Sequence, residues 1–181
     1  MKEDSRSLSA LLSRDKKSEQ AEKFWTFLTQ WWEGLADDRG VRARLRRANK
    51  SDDVYLSRDF QRGVVAELAK RGIDLDLREQ ERLALGVGVL AHVRTLAHDT
   101  TFARQLKPTE NAPASVRDPR FRKLMAIPDD DREALFLMLR RLVRYLGDAA
   151  EIKSLVTGAF WWNAHTRREW SIDYYTNRPA K

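Results

Sequence analysis

The chain has 181 residues, 34 of them Lys or Arg and 27 Asp or Glu, for a formal charge of +7. An apolar fraction of 42% with six Trp and seven Phe excludes a chain disordered throughout, because it supplies ample surface for a core. No apolar run approaches the ~20 residues that span a bilayer, and the lack of cysteine removes disulfides, thiolate metal sites and Cys nucleophiles.

Residues 1–20 are rich in Ser, Lys, Asp and Glu around a short Leu8–Leu12 patch, which predicts a polar tail with one loose turn. The first 23 residues lack the apolar core of a signal peptide, which together with the absent cysteine fits a cytoplasmic protein. From 21 to 106 the apolar spacing is helical. Trp25, Leu28, Trp32 and Leu35 form one stripe. Val64, Val65, Leu68 and Ala69 continue the pattern until Gly72 stops it. Asp76 with Glu79 reads as a capping box opening a long buried helix through Leu83, Leu90 and Leu96. Gly86 and Gly88 inside it predict close packing against a neighbour, since a helical Gly otherwise costs ~1 kcal/mol.

Pro108, Pro113, Pro119 and Pro128 crowd the middle of the chain and mark a break, so 107–117 is the expected linker. Asp118 and Pro119 read as the N-cap and first residue of the next helix. Asp130 with Glu133 suggests a second capping box, opening a helix that carries Leu135, Leu139, Leu142 and Leu146. Residues 151–175 are helical and aromatic. No segment alternates at period two for long enough to predict a strand. The expected fold is all-α: two small helical bundles, 21–106 and 118–181, joined by the proline-rich linker 107–117.

The positive charge is concentrated. Residues 39–50, 104–123 and 138–147 carry +6, +4 and +3, which leaves −6 for the rest of the chain. At helical spacing Arg39, Arg42, Arg46 and Lys50 fall within an arc of ~80°, with Val41, Leu45 and Ala48 roughly opposite. Arg117, Arg120, Arg122 and Lys123 surround an expected helix N-terminus, where free N–H groups also favour phosphate. Arg140, Arg141 and Arg144 share an arc of ~100°. Of the cations 24 are arginine, which forks onto phosphate and stacks on bases better than lysine does. Nucleic-acid contact is the favoured reading of these runs, and ordinary solvated helix faces are the bland one.

Catalytic constellations are lacking. His92, His98 and His165 have no metal-ligand spacing. Asp129–Asp131 is better explained by helix capping than by cation binding. Gly86 and Gly88 lack the remainder of a dinucleotide loop. No catalytic residue, metal or cofactor is therefore expected. The tryptophans, Trp25, Trp31, Trp32, Trp161, Trp162 and Trp170, sit at helical spacing with Leu and Phe and read as core, with one member of each adjacent pair less buried.

The motifs come in a fixed order. An aromatic first helix precedes the basic segment Arg39–Arg47 (RGVRARLRR) and a long apolar helix. Then follow the turn Arg117-Asp118-Pro119-Arg120-Phe121-Arg122 and the helix with Leu139-Arg140-Arg141-Leu142-Val143. The chain closes on Trp161/Trp162, Arg167, Trp170, Asp173 and Tyr174. Over residues 24–175 this order resembles CasB, the Cse two family, the small subunit of the type I-E CRISPR surveillance complex Cascade. The polar N-terminal extension and the proline-rich loop 107–116 depart from the family pattern.

The resemblance implies an all-helical, non-catalytic protein present as a pair of copies. Its implied partners are the CRISPR RNA, the target and non-target DNA strands and the other Cascade subunits, with no membrane. It also implies that the chain helps to hold the displaced strand of the R-loop. Carried over by motif, the contact residues are Arg42, Arg46 and Arg47, then Arg120 flanked by Arg117 and Arg122, then Arg140 and Arg141. The alternative is a basic helical adaptor whose faces meet acidic protein partners.

Overall fold

The computed structural model describes residues 7–12, 18–108 and 119–176. Most helix starts follow from a side-chain oxygen that satisfies a free backbone N–H. Helix α1 (Leu8–Leu11) is followed by α2 (Glu19–Gly34), capped by Ser18, and α3 (Arg39–Arg47), capped by Asp38. After α4 (Ser51–Tyr55), Ser57 caps α5 (Arg58–Phe60), which runs through π-helical Gln61–Val65 into α6 (Ala66–Lys70). Gly72 ends that helix at φ 75°, a left-handed conformation that costs glycine little.

Asp76 caps α7 (Leu77–Leu90), and Glu79 returns the bond to the Asp76 N–H, completing the expected capping box. Thr101 caps α8 (Phe102–Gln105), and Pro119 opens α9 (Pro119–Met125). Asp131 caps α10 (Arg132–Tyr145), Glu151 caps α11 (Ile152–Phe160) and Asn163 caps α12 (Ala164–Tyr175). The expected N-cap Asp118 and most of the expected linker lie outside the described residues.

The core is organised by α7. Every residue from Leu83 to Val93 is buried, and α7 packs against α4, α10 and α11. Because α4 precedes the proline-rich segment and α10 and α11 follow it, both halves of the chain contribute to one hydrophobic cluster. Gly88 makes this possible: a Cβ there would lie 2.7 Å from Phe136 Cε2 and 2.8 Å from Val54 Cγ2. Gly86 faces Val156 at an ordinary 3.5 Å, so the expected close approach holds at one glycine of the two. Trp32 and Trp162 are the buried members of their pairs, and their indole N–H groups donate to the carbonyls of Val93 and Ile127.

Four local expectations are corrected. The apolar helix ends at Leu90, and Leu96 instead belongs to strand β1 (Thr95–Leu96), parallel to β2 (Ala149–Ala150). These two-residue strands join the halves of the chain, and their brevity leaves no alternating pattern to read. The N-cap of α10 is Asp131 rather than Asp130, and Glu133 leaves the helix start to accept from the Ser51 N–H and hydroxyl. The aromatic tail divides at Trp161–Asn163 into α11 and α12.

The Leu8–Leu12 turn is also docked rather than loose. Leu8 is fully buried, and the buried Glu79 carboxylate accepts from Ser7 Oγ at 2.5 Å and the Ser9 N–H at 2.7 Å. Ser7→Ala leaves that carboxylate short of a donor and is expected to cost about 1–2 kcal/mol, read from the urea midpoint. An unchanged midpoint would show that solvent replaces the hydroxyl at no cost. Among the described residues no helix is long and apolar enough to cross a membrane.

Candidate nucleic-acid interface

Two of the basic runs converge. Helix α3 carries Arg42 and Arg46, and α10 carries Arg140 and Arg144. All four guanidinium groups lie close enough to His92, in the turn after α7, to disfavour its protonation. Arg46 acts on both Arg42 and Arg140, while Arg144 acts on Arg140 and Arg94 on Arg42. Burial first, and then these neighbouring cations, lower the pKa of Arg42 and Arg140 from the usual arginine value. Asp148, whose carboxylate lies 3.5 Å from Arg94, brings a negative charge to bear on Arg42.

The cluster divides into structural and unengaged arginines. Arg42 donates from Nη2 to the Val93 carbonyl at 2.5 Å and from Nε to Ala91 at 3.3 Å, and so closes the C-terminal end of α7. Arg140 does the same for α3, with Nη1 2.5 Å from the Ala48 carbonyl and Nη2 3.2 Å from that of Arg46. Cations at helix C-termini satisfy free carbonyls and meet the negative end of the dipole. These bonds hold Arg42 and Arg140 in place despite the repulsion of the neighbouring arginines. Arg46 and Arg144 have no carboxylate or hydrogen-bond partner for their guanidinium groups among the described residues, so their charge stands open to an anion.

His92 lies beneath them, 4% exposed, with neither ring nitrogen hydrogen-bonded. Burial, followed by the charges of Arg140, Arg46, Arg144 and Arg42, lowers its pKa from 6.5 to about 4, so the ring is neutral at physiological pH. Among the described residues no group of three or more His, Asp or Glu is arranged to hold a metal ion.

The other sequence-predicted positions distribute as follows. Arg39, Arg47 and Lys50 are exposed, but α3 ends at Arg47 and turns extended at Ala48. Lys50 is therefore not on the helical stripe assigned to it. Arg47 lines a separate cleft with Arg44, Arg58, Asp53 and Asp59, where Arg44 is already forked onto Asp59 at 2.7 and 2.9 Å. Its mixed charge makes that cleft a poor polyanion site. Arg120, Arg122 and Lys123 are exposed on α9, which packs on α10, and Arg120 lies 4.1 Å over the Tyr145 ring. Arg141 is exposed on α10. Arg117 lies outside the described residues.

Sequence reasoning missed Arg94 and His92. Each is a single polar residue at the end of an apolar helix, outside any charge run. Their position at the end of the buried run Leu83–Val93, His92 just inside it and Arg94 just after, was the one available signal. Asp129, expected to serve in helix capping, instead pairs with Arg167, which also donates to the Ile127 carbonyl at 3.1 Å.

The family model described as CRISPR-associated protein Cse2 matches residues 41–175, a span that contains α4–α12 and both arms of the arginine cluster. No match was found among curated proteins, and none among solved structures.

Proposed function

The chain belongs to the Cse2 family of CRISPR-associated proteins, subunits of the type I-E Cascade complex, and from that premise we propose that its arginine face grips the displaced non-target DNA strand and so stabilises the R-loop. The observation that carries this reading is the convergence of Arg42, Arg46, Arg140 and Arg144 around His92. A protein that gathers four like charges and leaves Arg46 and Arg144 without a carboxylate partner among the described residues is matched to a polyanion, whose phosphates relieve the repulsion. The role is non-catalytic. Opening a DNA duplex against a guide RNA is nearly balanced in free energy, so modest backbone contacts to the ejected strand decide how long the open state lasts. The CRISPR RNA, the target strand, the other subunits and a second copy of the chain are the remaining proposed partners.

Binding of this kind ignores sequence and falls with salt, by about −0.7 in log affinity per log salt for each phosphate neutralised on a single strand. The isolated protein is expected to bind a labelled single-stranded oligonucleotide at low salt. Arg46→Glu with Arg144→Glu should weaken that binding by at least ~10-fold, because each reversal adds repulsion where attraction stood. Arg78→Glu, at the opposite end of α7 and ~20 Å along its axis, is the charge-matched control. Equal losses in both proteins would reduce the effect to net charge. A preference for an acidic protein competitor over DNA would favour the adaptor reading. In assembled Cascade, Arg120→Ala with Arg141→Ala should shorten the R-loop lifetime, and an unchanged lifetime would remove those two residues from the interface.

A further inference from the structure

We propose that Tyr145 is a stacking platform for an unpaired nucleobase of single-stranded DNA, a subsite that rests on the strand-binding reading above and adds base contact to phosphate contact. Leu137, Arg141 and Tyr145 recur at four-residue spacing on α10, which places them on one face at intervals of ~6 Å. All three are exposed, Leu137 at 40% and Tyr145 at 49%. A solvent-facing stripe that alternates apolar, cationic and aromatic groups is an unusual surface for a helix whose other side forms core.

Tyr145 differs from the other aromatic side chains of the described residues. All are buried or half-buried except Tyr145 and Tyr175, and Tyr175 packs edge-on against Phe121 and Tyr174. Among the described residues Tyr145 pairs with no aromatic ring. Its ring partner is the Arg120 guanidinium, 4.1 Å from the ring centroid. A cation over the ring holds it in place while about half of the residue's surface stays exposed, so a base that docks there finds a platform already oriented.

Charge indicates which occupant fits. Arg141 lies one turn before Tyr145 on the same face and Arg120 lies over it, so an apolar partner would have to desolvate two cations to reach the ring. A nucleotide satisfies both features at once, with phosphate on the arginines and base on the tyrosine. The base must be unpaired, because a duplex already stacks its own bases and offers their faces to nothing else.

The test uses the full-length isolated chain with two labelled oligonucleotides of equal length, one with normal bases and one abasic throughout. The normal strand should bind about tenfold more tightly than the abasic strand, the scale of one stacked base. Tyr145→Ala should erase that difference without changing the salt slope, and Tyr145→Phe should restore it. A 2-aminopurine placed in the strand should be quenched by the wild type and not by Tyr145→Ala. Salt-dependent binding with equal affinity for both strands would overturn the stacking site while leaving the strand-binding reading intact. Failure to bind either strand at low salt would overturn both.

Discussion

Gly158→Ala is expected to lower stability by about 2–3 kcal/mol, although Ala is the better helix former by ~1 kcal/mol. A Cβ at Gly158 would stand 2.1 Å from Trp170 Cζ2, 2.7 Å from Cε2 and 3.0 Å from Nε1. Three atoms of one rigid ring cannot all yield by rotating a flexible terminus. Trp170 is 3% exposed and is held by Phe102 and Trp162, whose ring centroids lie 5.6 and 5.5 Å away. The contact therefore pushes α11 from α12 and disturbs a three-ring cluster that joins them to α8. At ~2–4 °C per kcal/mol for a chain of this size, the melting temperature should fall by about 8 °C. Circular dichroism melts would read it, with Gly34→Ala as control, since nothing lies within 4 Å of a Cβ there. Trp170→Leu in the Gly158→Ala background should cost less than the two single changes added, because it removes the clashing ring atoms. An unchanged melting temperature for Gly158→Ala would show that α11 shifts without loss.

The contrast between Gly158 and Gly86 shows what sequence can carry. Both lie among apolar residues of a helix, and nothing local distinguishes the one whose Cβ position is filled by a tryptophan from the one with ordinary room. Although the expected start of α10 fell one residue early, the helical character and the start of α7 were legible because capping and apolar spacing are local. The same holds for the buried run Leu83–Val93 and for the arginine runs, which any count of charge reveals. What sequence hides is where those charges are spent. Arg42 and Arg46 share one helix stripe, yet Arg42 closes the end of α7 while Arg46 has no such acceptor. Arg140 and Arg141 are adjacent, yet Arg140 closes the end of α3 and Arg141 faces solvent. Each assignment depends on which helix end lies opposite, a property of the tertiary fold. Arg94 and His92 join the cluster for the same reason.

The neutral His92 beneath four arginines makes stability depend on pH in a defined direction. In the folded chain its pKa is lowered from 6.5 to about 4, by burial first and then by Arg140, Arg46, Arg144 and Arg42. Arg42 and Arg46 approach from α3, and Arg140 and Arg144 from α10. Between pH 6.5 and about 4 the unfolded chain takes up a proton at this residue that the folded chain refuses. Stability from this group is thus complete above the upper value and falls as pH drops through the window, by on the order of 3 kcal/mol at its lower end. Carboxylates titrate over the lower part of the same range, so the informative quantity is the difference between the wild type and His92→Leu. That variant removes the titrating ring together with two buried nitrogens that lack partners, so near neutral pH it should be no less stable than the wild type. Urea unfolding at steps from pH 7.5 to 4.5 should show the two curves separating below about 6.5, the wild type losing stability faster. Parallel curves would mean that His92 is charged or solvated in the folded chain. Bound DNA sharpens the test. Phosphates over Arg46 and Arg144 offset the charges that oppose protonation, so saturation with a single-stranded oligonucleotide should raise the His92 pKa and narrow the gap between the curves.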